Sequence, residues 1–483
     1  MRIGSWTTAF LAVLLPGALG AVPSVSGLNR DPGTSATTER SSATAHTQGL
    51  MEIGSVQAPS KAKEATQARD AFHFVYPALE TMRTLENIER LAKANGRTVV
   101  NRISHRSTLA GPRDRVVTAP NNDTLYSTAW LDVSAGPVML TVPPLPGRYH
   151  SVALLDLFTD NQAVLGTRAN GSGGGRYWLA GPRWRGRPPP GATLVRLPVD
   201  EAWVIVRVLV DGPTDLKAAI AAQQGFTLAA SVPTTARLPR AAMPAAGDAA
   251  AFLDRANELL ARGPLPPVIT RRARQIAGAG ILPGTTGAFA ALSPAMQDAW
   301  QQGYKTYERD MREGLAQVGV TRQAWVYPAP GLGRFGTDWL YRSRIALAGL
   351  GALPIEEATY LTAVVDAAGA PLDGRSSYRL RVPADIPVDG FWSITMYQRE
   401  DDGRTFLVAN PIERYSIGNR TPGLVRNGDG SVDIVMSASA PVAGNANWLP
   451  APAGPFRVSF RAYLPRAPFI QGRFMLPPIE RAP

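Results

Sequence analysis

The strongest strand signal in this sequence is Phe391-Trp392-Ser393-Ile394-Thr395-Met396-Tyr397, a run of aromatic and β-branched residues. Apolar and polar residues also alternate at 378–382, 432–436 and 456–460, and proline-rich turns separate these runs. In a β-strand, successive side chains point to opposite faces of the sheet, so a two-residue alternation places the apolar residues on one face. The spacing therefore predicts that residues 353–483 form an antiparallel β-sandwich.

A second region of β pattern lies upstream, after Gly96. Six runs there are rich in β-branched and aromatic residues and are separated by Pro, Gly and Asn turns: 115–118, 128–133, 138–142, 149–157, 194–197 and 203–210. Strands at such short spacing favour a sandwich over a parallel sheet with crossover helices. We assign residues 61–212 to this first domain, with a leading helix at 61–95 in which Pro77 marks a kink or break.

Helical spacing dominates residues 213–352, between the two β regions. Four segments have apolar residues at intervals of three and four: 214–224, 248–262, 294–318 and 337–350. Asp248 and Thr337 suit helix N-caps, and Glu308 and Arg312 form an i,i+4 pair in the favourable order. The predicted fold class is mainly β, with a helical middle segment that connects two sandwiches.

The first residues predict export from the cytoplasm. Met1-Arg2 gives a positive start, residues 8–19 are largely apolar, and Ala18-Leu19-Gly20 places small residues at the −3 and −1 positions. We assign a signal peptide to 1–20, a disordered leader to 21–60, and a periplasmic or secreted location to the protein. The alternative is an apolar segment retained as an N-terminal anchor. No later segment predicts a transmembrane span.

Composition narrows the classes of partner and of chemistry. The chain has no cysteine, which excludes disulfides, thiolate metal sites and a cysteine nucleophile. Its formal net charge is +12, but only five of its 50 basic residues are lysines and the arginines are scattered. No basic run exceeds two residues, so we expect no nucleic-acid partner.

Two groups of sequence strings are specific enough to indicate a family. PNNDTLYS at 120–127, with LD at 131–132, GP at 136–137 and GRY at 147–149, resembles the domain DUF1254. GFWSITMY at 390–397, with NPIERYSIG at 410–418 and NWLPAP at 447–452, resembles its usual companion, DUF1214. The resemblance implies an immunoglobulin-like sandwich, then helices, then a jelly-roll-like sandwich. It implies no established activity.

The loop Asn121-Asn122-Asp123, with Tyr126 in the strand that follows, is the first candidate binding site. Asn and Asp beside a proline are ordinary turn formers, because their side chains mimic a backbone turn. The functional interpretation is a polar loop that presents two amides and a carboxylate to a sugar-like ligand or a hard cation. The residues alone leave both interpretations open.

A second set of candidates lies on and just after the strand at 149–157. Arg148 and Asp156 are eight residues apart and cannot touch on a regular strand, because they would be about 26 Å apart. Asp160 and Asn161 follow at the strand end. We expect that they could join the Asn121 loop across a sheet edge.

A third set is Asn410, Glu413, Arg414 and Tyr415, with Asn447 and Trp448 arriving from a distant segment. Charged groups beside aromatic rings suit a pocket that orients a polar ligand. The alternative is that Arg414 pairs with Glu413 or Asp401 and fixes a corner of the sandwich. The sequence does not separate these two roles.

Several enzyme signatures are missing from the sequence. The four histidines are dispersed and none has HExxH spacing, and no GxSxG string occurs. Residues 331–336 match GxGxxG, a motif that binds dinucleotides when a buried strand comes directly before it. Prolines occupy the segment before residue 331, and proline is unfavourable inside a strand. We therefore interpret residues 331–336 as a loop before a helix. We therefore expect no cofactor and no metal site.

Three functions fit these observations. The first is an exported protein that binds a small polar or amphipathic ligand, such as a glycan or a lipid headgroup, at a site formed by the sandwiches. The second is a hydrolase or lyase that uses Asp123, Asp156 or Glu413 as acid or base. The third is an envelope protein that assembles into homo-oligomers. Whether the protein is an enzyme stays open at this point.

Overall fold

The computed structural model describes residues 61–482 except 95–97, 116–117, 234–243, 246, 402 and 443. The predicted signal peptide at 1–20 and leader at 21–60 lie outside the described residues. Within the described part, the predicted fold class is confirmed: two β-sandwiches are joined by helices.

The first sandwich is built from nine strands and two short helices. In chain order these are β1 (Ser104–Arg106), β2 (Thr124–Asp132), β3 (Val138–Val142), β4 (His150–Leu155), β5 (Asn161–Gly166), β6 (Gly175–Ala180), β7 (Ala192–Arg196), β8 (Glu201–Leu209) and β9 (Thr227–Ala230), after helix α1 (Lys61–Lys93) and with α2 (Thr167–Asn170) and α3 (Leu216–Gln224) between strands. One sheet has the order β1-β2-β8-β4-β5 and the other the order β7-β6-β3-β9. Leu131, Leu140, Val152 and Val204 belong to the dry core between them.

Four longer helices follow β9 in the chain. They are α4 (Ala249–Leu260), α5 (Pro267–Gln275), α6 (Pro294–Glu313) and α7 (Trp339–Gly349). Helix α1 packs against α4, α6 and α7, and Phe72 contacts the rings of Phe252, Tyr304 and Tyr307. The leading helix thus joins the helical group, which covers part of the outer face of the sheet that contains β2, β4 and β8.

The second sandwich contains the remaining strands. They are β10 (Gly319–Arg322), β11 (Trp325–Pro328), β12 (Ala358–Ala363), β13 (Tyr378–Val382), β14 (Trp392–Arg399), β15 (Thr405–Phe406), β16 (Ser416–Gly418), β17 (Val432–Ser437), β18 (Trp448–Pro450), β19 (Phe456–Tyr463) and β20 (Glu480–Arg481), with helix α8 (Ala467–Ile470) after β19. The larger sheet has the order β10-β11-β12-β19-β14-β15, with β16 also on β14, and the smaller has β18-β17-β13-β20. Trp392, Ile394 and Phe460 lie in the core between them.

Some local predictions are wrong. Of the kink or break predicted at Pro77, the break is contradicted: helix α1 continues through this residue, because tertiary packing of its apolar face offsets the lost backbone hydrogen bond. The region 213–352 is not all helical, since β9 pairs with β3 of the first sandwich and β11 pairs with β12 of the second. The strand β5 was not predicted.

Of the two predicted helix N-caps, one is confirmed and the other is wrong by one residue. Asp248 is the N-cap of α4, and its carboxylate accepts a hydrogen bond from the Ala251 backbone N–H at 2.9 Å. The N-cap of α7 is Asp338, not Thr337. The carboxylate of Asp338 accepts from the Tyr341 backbone N–H, the bond that an N-cap must form. The predicted Glu308–Arg312 pair is present at 2.6 Å.

Candidate functional site

The outer face of β2, β4 and β8 meets the outer face of β12, β14 and β19 of the other sandwich. In the first sheet, Tyr126, Arg207 and Ser151 are direct cross-strand neighbours. In the second, Ser393 and Arg461 are direct neighbours. We call this region the intersheet seam and define it by Asp123, Tyr126, Ser151, Arg207, Ser393, Arg461 and Tyr463.

Hydrogen bonds connect the two sandwiches across the seam. The Ser393 hydroxyl donates to the Asp123 carboxylate at 2.7 Å, and the Asn121 amide donates to the Tyr463 hydroxyl at 2.6 Å. The Tyr397 hydroxyl donates to the Pro120 carbonyl at 2.7 Å. The loop that begins β2 is therefore held mainly by the second sandwich.

The predicted loop Asn121-Asn122-Asp123 is both a turn and a part of the seam. The Asn121 side-chain oxygen accepts the Asp123 backbone N–H at 2.7 Å, as in an Asx turn. The Asn122 amide donates to the Ala110 carbonyl at 2.5 Å. The turn geometry thus points the Asp123 carboxylate into the second sandwich.

The Asp123 carboxyl group is buried and lies close to a buried guanidinium, that of Arg461. Burial raises the pKa of its carboxyl group above the usual range of an aspartate, and the Arg461 guanidinium opposes part of that rise. Arg461 donates to the hydroxyls of Thr395 and Tyr397, at 2.5 and 2.6 Å. A low local dielectric strengthens such contacts and also makes any unmet partner costly.

Arg207 lies in the same seam with fewer partners. Its side chain donates to the Gly351 carbonyl at 2.8 Å and to the Tyr126 hydroxyl at 3.3 Å. The third nitrogen, Nη1, is buried and has no hydrogen-bond partner among the described residues, nor does any carboxylate there lie within ion-pair distance. Arg207 is only 5% exposed. A buried guanidinium in this state is energetically unfavourable unless something else accepts from it.

Two hydroxyls beside Arg207 are also unsatisfied. Ser151 is its direct neighbour on β4, and Thr124 lies two residues from Tyr126 on the same face of β2. The side-chain oxygens of both residues are buried and lack a partner among the described residues. Three polar groups with unmet hydrogen bonds therefore share one face of one sheet.

Glu357, just before β12, is a second buried carboxylate at this interface. It accepts from the Tyr149 hydroxyl at 3.0 Å and from Arg168 Nε at 2.6 Å. Burial raises the pKa of Glu357, and its hydrogen bond to Arg168 opposes that rise. The Tyr149 ring also packs edge-on against the Tyr463 ring, so aromatic surface separates Glu357 from Asp123.

Arg148 does not join the seam. It forms a two-point ion pair with Asp215, at 2.5 and 2.6 Å, and donates to the Leu209 carbonyl at 2.6 Å. This geometry fixes the segment before α3 to the end of β8. The prediction that Arg148 binds a ligand has no support in these contacts, since both its donor directions are occupied.

Asp156, a second candidate acid or base, does not lie beside Asp123. Asp123 lies opposite Val210, while Asp156 follows Leu155, which is paired with Trp203. Seven residues of strand separate these positions, or about 23 Å. Asp156 instead organises a turn, accepting from the backbone N–H groups of Phe158 and Asp160. Burial, with Asp160 nearby, raises the pKa of Asp156 to about 7.

Asn161 lies at the same distant end of the sheet. Its amide donates to the carbonyls of Gly333 and Ala352, both at 2.9 Å. The expectation that Asp160 and Asn161 would join the Asn121 loop is wrong. They instead bind the segment around α7, and Asp160 forms an ion pair with Arg342 at 2.7 Å.

The set at 410–415 forms a corner of the second sandwich. The Asn410 side chain closes a turn on the backbone of Arg414, and Glu413 is exposed in a left-handed conformation. Arg414 donates to the carbonyls of Asn445, Ala446 and Trp448. The corner role is therefore the one observed, with carbonyls as partners in place of Glu413 or Asp401.

The two aromatic residues of that set have separate surroundings. Trp448 is buried, and its indole N–H donates to the Ser437 carbonyl at 3.0 Å. Tyr415 packs with Tyr397 and Leu407 at the edge of the seam. They do not form one pocket.

Sequence reasoning missed Arg207, Arg461, Glu357 and Tyr463. A usable signal existed in β19, where Arg457, Ser459, Arg461 and Tyr463 alternate with apolar residues. Such alternation is usually assigned to a solvated face. The three polar residues Ser459, Arg461 and Tyr463 are buried here because the other sandwich covers them.

The described ranges, 61–482 with their gaps, contain neither a metal cluster nor a membrane-spanning helix. There, no cluster of three His, Asp or Glu side chains is arranged so that it could hold a metal ion. None of the described helices combines the length and the apolar character needed to cross a membrane.

Two parts of the sequence match known domain families. Residues 100–230 match the family described as "Protein of unknown function (DUF1254)", and residues 357–467 match "Protein of unknown function (DUF1214)". No curated protein matches the sequence.

Solved structures add a likeness of fold. The chain is similar to the crystal structure of the VPA0106 protein from Vibrio parahaemolyticus, with a TM-score of 0.66 and 23% identity over 87% of this chain and 100% of that one. An uncharacterised protein from Burkholderia cenocepacia matches with a TM-score of 0.43 and 12% identity, over 87% of this chain and 93% of that one. The first likeness shows the fold alone.

Proposed function

Because the chain belongs to the family that combines a DUF1254 and a DUF1214 domain, a description that assigns no activity, we propose a function from its geometry. The protein binds a small polar ligand in the intersheet seam, with an anionic group of the ligand against Arg207. An acidic sugar and a lipid phosphate headgroup share this chemistry.

One observation carries the proposal: Arg207 is buried with Nη1 unpartnered and no described carboxylate within ion-pair distance, Glu357 being within electrostatic range only. Burial of an uncompensated charge costs several kcal/mol. An oxyanion is the natural partner, because a guanidinium donates to carboxylate and phosphate in a charge-assisted geometry. The unsatisfied hydroxyls of Ser151 and Thr124 offer further hydrogen bonds on the same face.

The aromatic residues around Arg207 support a ligand that is not a bare ion. The guanidinium carbon of Arg207, Cζ, lies over the Tyr126 ring, 5.1 Å from the ring centre. Tyr149 and Tyr360 are within electrostatic range of the same charge. Rings with a few placed polar groups are typical of sites that orient small molecules.

The experiment is a thermal unfolding series on the chain from residue 21, with galacturonate, glycerol 3-phosphate and uncharged galactose as probes. Binding raises Tm, and a ligand at roughly one hundred times Kd stabilises by about 2.7 kcal/mol. We expect a rise with at least one anionic probe and a smaller one with galactose. Arg207→Met should abolish it, whereas Arg381→Met, at an exposed pair with Asp429, should not.

The proposal fails if neither anionic probe raises Tm in the unsubstituted chain, or if Arg207→Met responds as that chain does. Loss of folding is not expected for Arg207→Met, since exchange of a buried charge for an apolar residue of similar length is often neutral. Far-UV circular dichroism of the variant checks this.

Location and assembly belong to the same proposal. The apolar start at 8–19 supports export to the periplasm or beyond, and fractionation of cells that express the full chain tests it. A homo-oligomer is a further prediction, and light scattering after size exclusion measures it. Recovery of the uncleaved chain in the membrane fraction would favour a retained anchor.

A further inference from the structure

A second concave site lies among the helices, away from the seam. It is a cleft of about 500 Å³ between α1, α5, α6 and α7. We call it the helical cleft and define it by six of its lining residues: Arg69, His73, Arg272, Asp310, Trp339 and Arg344. Its volume is in the range that holds a small molecule.

His73 lines this cleft from the buried face of α1. It is only 8% exposed, and neither imidazole nitrogen forms a hydrogen bond with a described residue; its ring contact is with Phe72. His73 thus lacks a hydrogen-bond partner, although its ring nitrogens are not among the fully buried, unpartnered atoms of the described residues. Since its ring borders the cleft, a molecule in the cleft is positioned to supply that partner.

Two arginines of the cleft also have unmet donors. Arg344, on α7, is half-buried, and its Nε has no partner in the part of the chain that the structure describes. Arg272 forms an ion pair with Asp70 at 3.0 Å, yet its Nε is buried and unpartnered as well. Arg344 has no ion pair with any described carboxylate.

The acidic residues of the cleft are already engaged. Asp70 binds Arg272, Asp310 lies 3.4 Å from Arg309, and Asp338 accepts from the backbone at the start of α7. None of them neutralises Arg344. The lining thus contains three arginines and three aspartates, but Arg344 forms no ion pair with a described carboxylate and its Nε has no hydrogen-bond partner there.

The cleft also has apolar lining residues. Met311, Trp339 and Leu340 line it, and the Trp339 ring is held by an edge contact with Phe74. We infer that the helical cleft binds a small organic oxyanion, with its carboxylate or phosphate against Arg344 and His73 and its apolar part against Trp339. This site is separate from the one in the proposed function and does not depend on it.

The electrostatics of His73 give the proposal a direct readout. Burial, and then Arg69, lower the pKa of His73 to about 4, with Arg344 acting in the same direction and Asp70 and Asp310 opposing. The ring is thus neutral at pH 7. An anion bound beside it favours the protonated form, so occupancy raises the pKa of His73.

The experiment uses the full chain with phenyl phosphate and benzoate as probes. Inorganic phosphate tests for the bare anion, and benzyl alcohol tests for the apolar part alone. Calorimetry measures binding, and NMR of the histidine rings follows His73. We expect phenyl phosphate or benzoate to bind more tightly than either partial probe and to raise the pKa of His73 but not that of His105, which lies in the first sandwich.

Two variants separate the charge of Arg344 from its position. Arg344→Gln should weaken binding by about tenfold or more, the loss of one charge-assisted contact. Gly314→Ala keeps the charge but displaces it, because a Cβ at residue 314 would collide with the Arg344 guanidinium. It should also weaken binding, whereas Arg381→Gln, at an exposed ion pair with Asp429, should not.

The inference is overturned if neither organic probe binds, or if Arg344→Gln and Gly314→Ala bind as the unsubstituted chain does. It is also overturned if binding leaves the pKa of His73 unchanged, since that places the probe elsewhere. This last measurement needs no variant, so it stands even if a substitution prevents folding.

Discussion

The two faces of the strand β19 lie in different surroundings. Phe456, Val458 and Phe460 point into the dry core of the second sandwich. Ser459 and Arg461, on the opposite face, are also buried, but they lie in the polar seam against the first sandwich. One strand thus contributes to an apolar interior and to a buried hydrogen-bonded interface.

The difference concerns what each interface requires of its residues. An apolar core gains stability roughly in proportion to buried area and is indifferent to direction. The seam requires each donor to meet an acceptor, such as Ser393 with Asp123, at defined positions. It therefore fixes the orientation of one sandwich relative to the other. A buried polar group in the seam that lacks a partner, such as Nη1 of Arg207, is for the same reason a candidate for ligand binding.

The largest loss of stability is expected for a substitution in the dry core of the second sandwich. Phe460→Ala removes a fully buried ring that stacks on Trp392 at 5.7 Å. The free energy of unfolding should fall by about 4 kcal/mol, from lost burial and the cavity left behind. Urea unfolding measures this, and a loss below that of the seam variants would contradict the contrast between the two faces.

A smaller loss of stability is expected for a substitution in the intersheet seam. Arg461→Ala leaves the hydroxyls of Thr395 and Tyr397 without their donor and removes the counter-charge near Asp123. The free energy of unfolding should fall by about 2–3 kcal/mol. Arg461→Met, which restores apolar volume, is the matched control and should lose less. Equal losses would mean that the lost hydrogen bonds and charge, not packing, dominate at this position.

The smallest effect is a dependence on pH that the dry core lacks. Burial raises the pKa of Asp123 in the folded state, so the folded chain holds its proton at pH values where the unfolded chain has released it. The stabilisation is complete below the unfolded pKa and is lost as pH rises through the folded pKa. Asp123→Asn removes this titration.

The stability of the unsubstituted chain relative to Asp123→Asn should thus decline with rising pH above the ordinary range of an aspartate. Urea unfolding at a series of pH values measures the difference, and Phe460→Ala serves as the control, with a pH-independent loss. A flat difference for Asp123→Asn would show that the carboxyl group is ionised in both states.

The candidate site was predictable only in part. The strings around Asn121 and Asp123 drew attention to a loop that does lie in the seam. Arg148, Asp156 and Arg414 carried similar chemistry in the sequence, yet their hydrogen bonds are taken by Asp215, by a turn and by backbone carbonyls. Residue type states what a side chain can bind, while its partners depend on segments that are distant in the chain.

The sequence by itself determined the long strands such as β14 and β19, the helices α1, α4, α6 and α7 and the division into two sandwiches, because hydrophobic periodicity and capping residues act over a few neighbouring residues. Only the tertiary structure decided that the polar side of β19 is buried, that α1 packs with α4, α6 and α7, and that Arg207 has an unpartnered nitrogen. The reason is that alternation tells the two faces of a strand apart without stating what covers each face. Residues such as Asp123 and Ser393 are 270 positions apart, and nothing local in the chain specifies their contact.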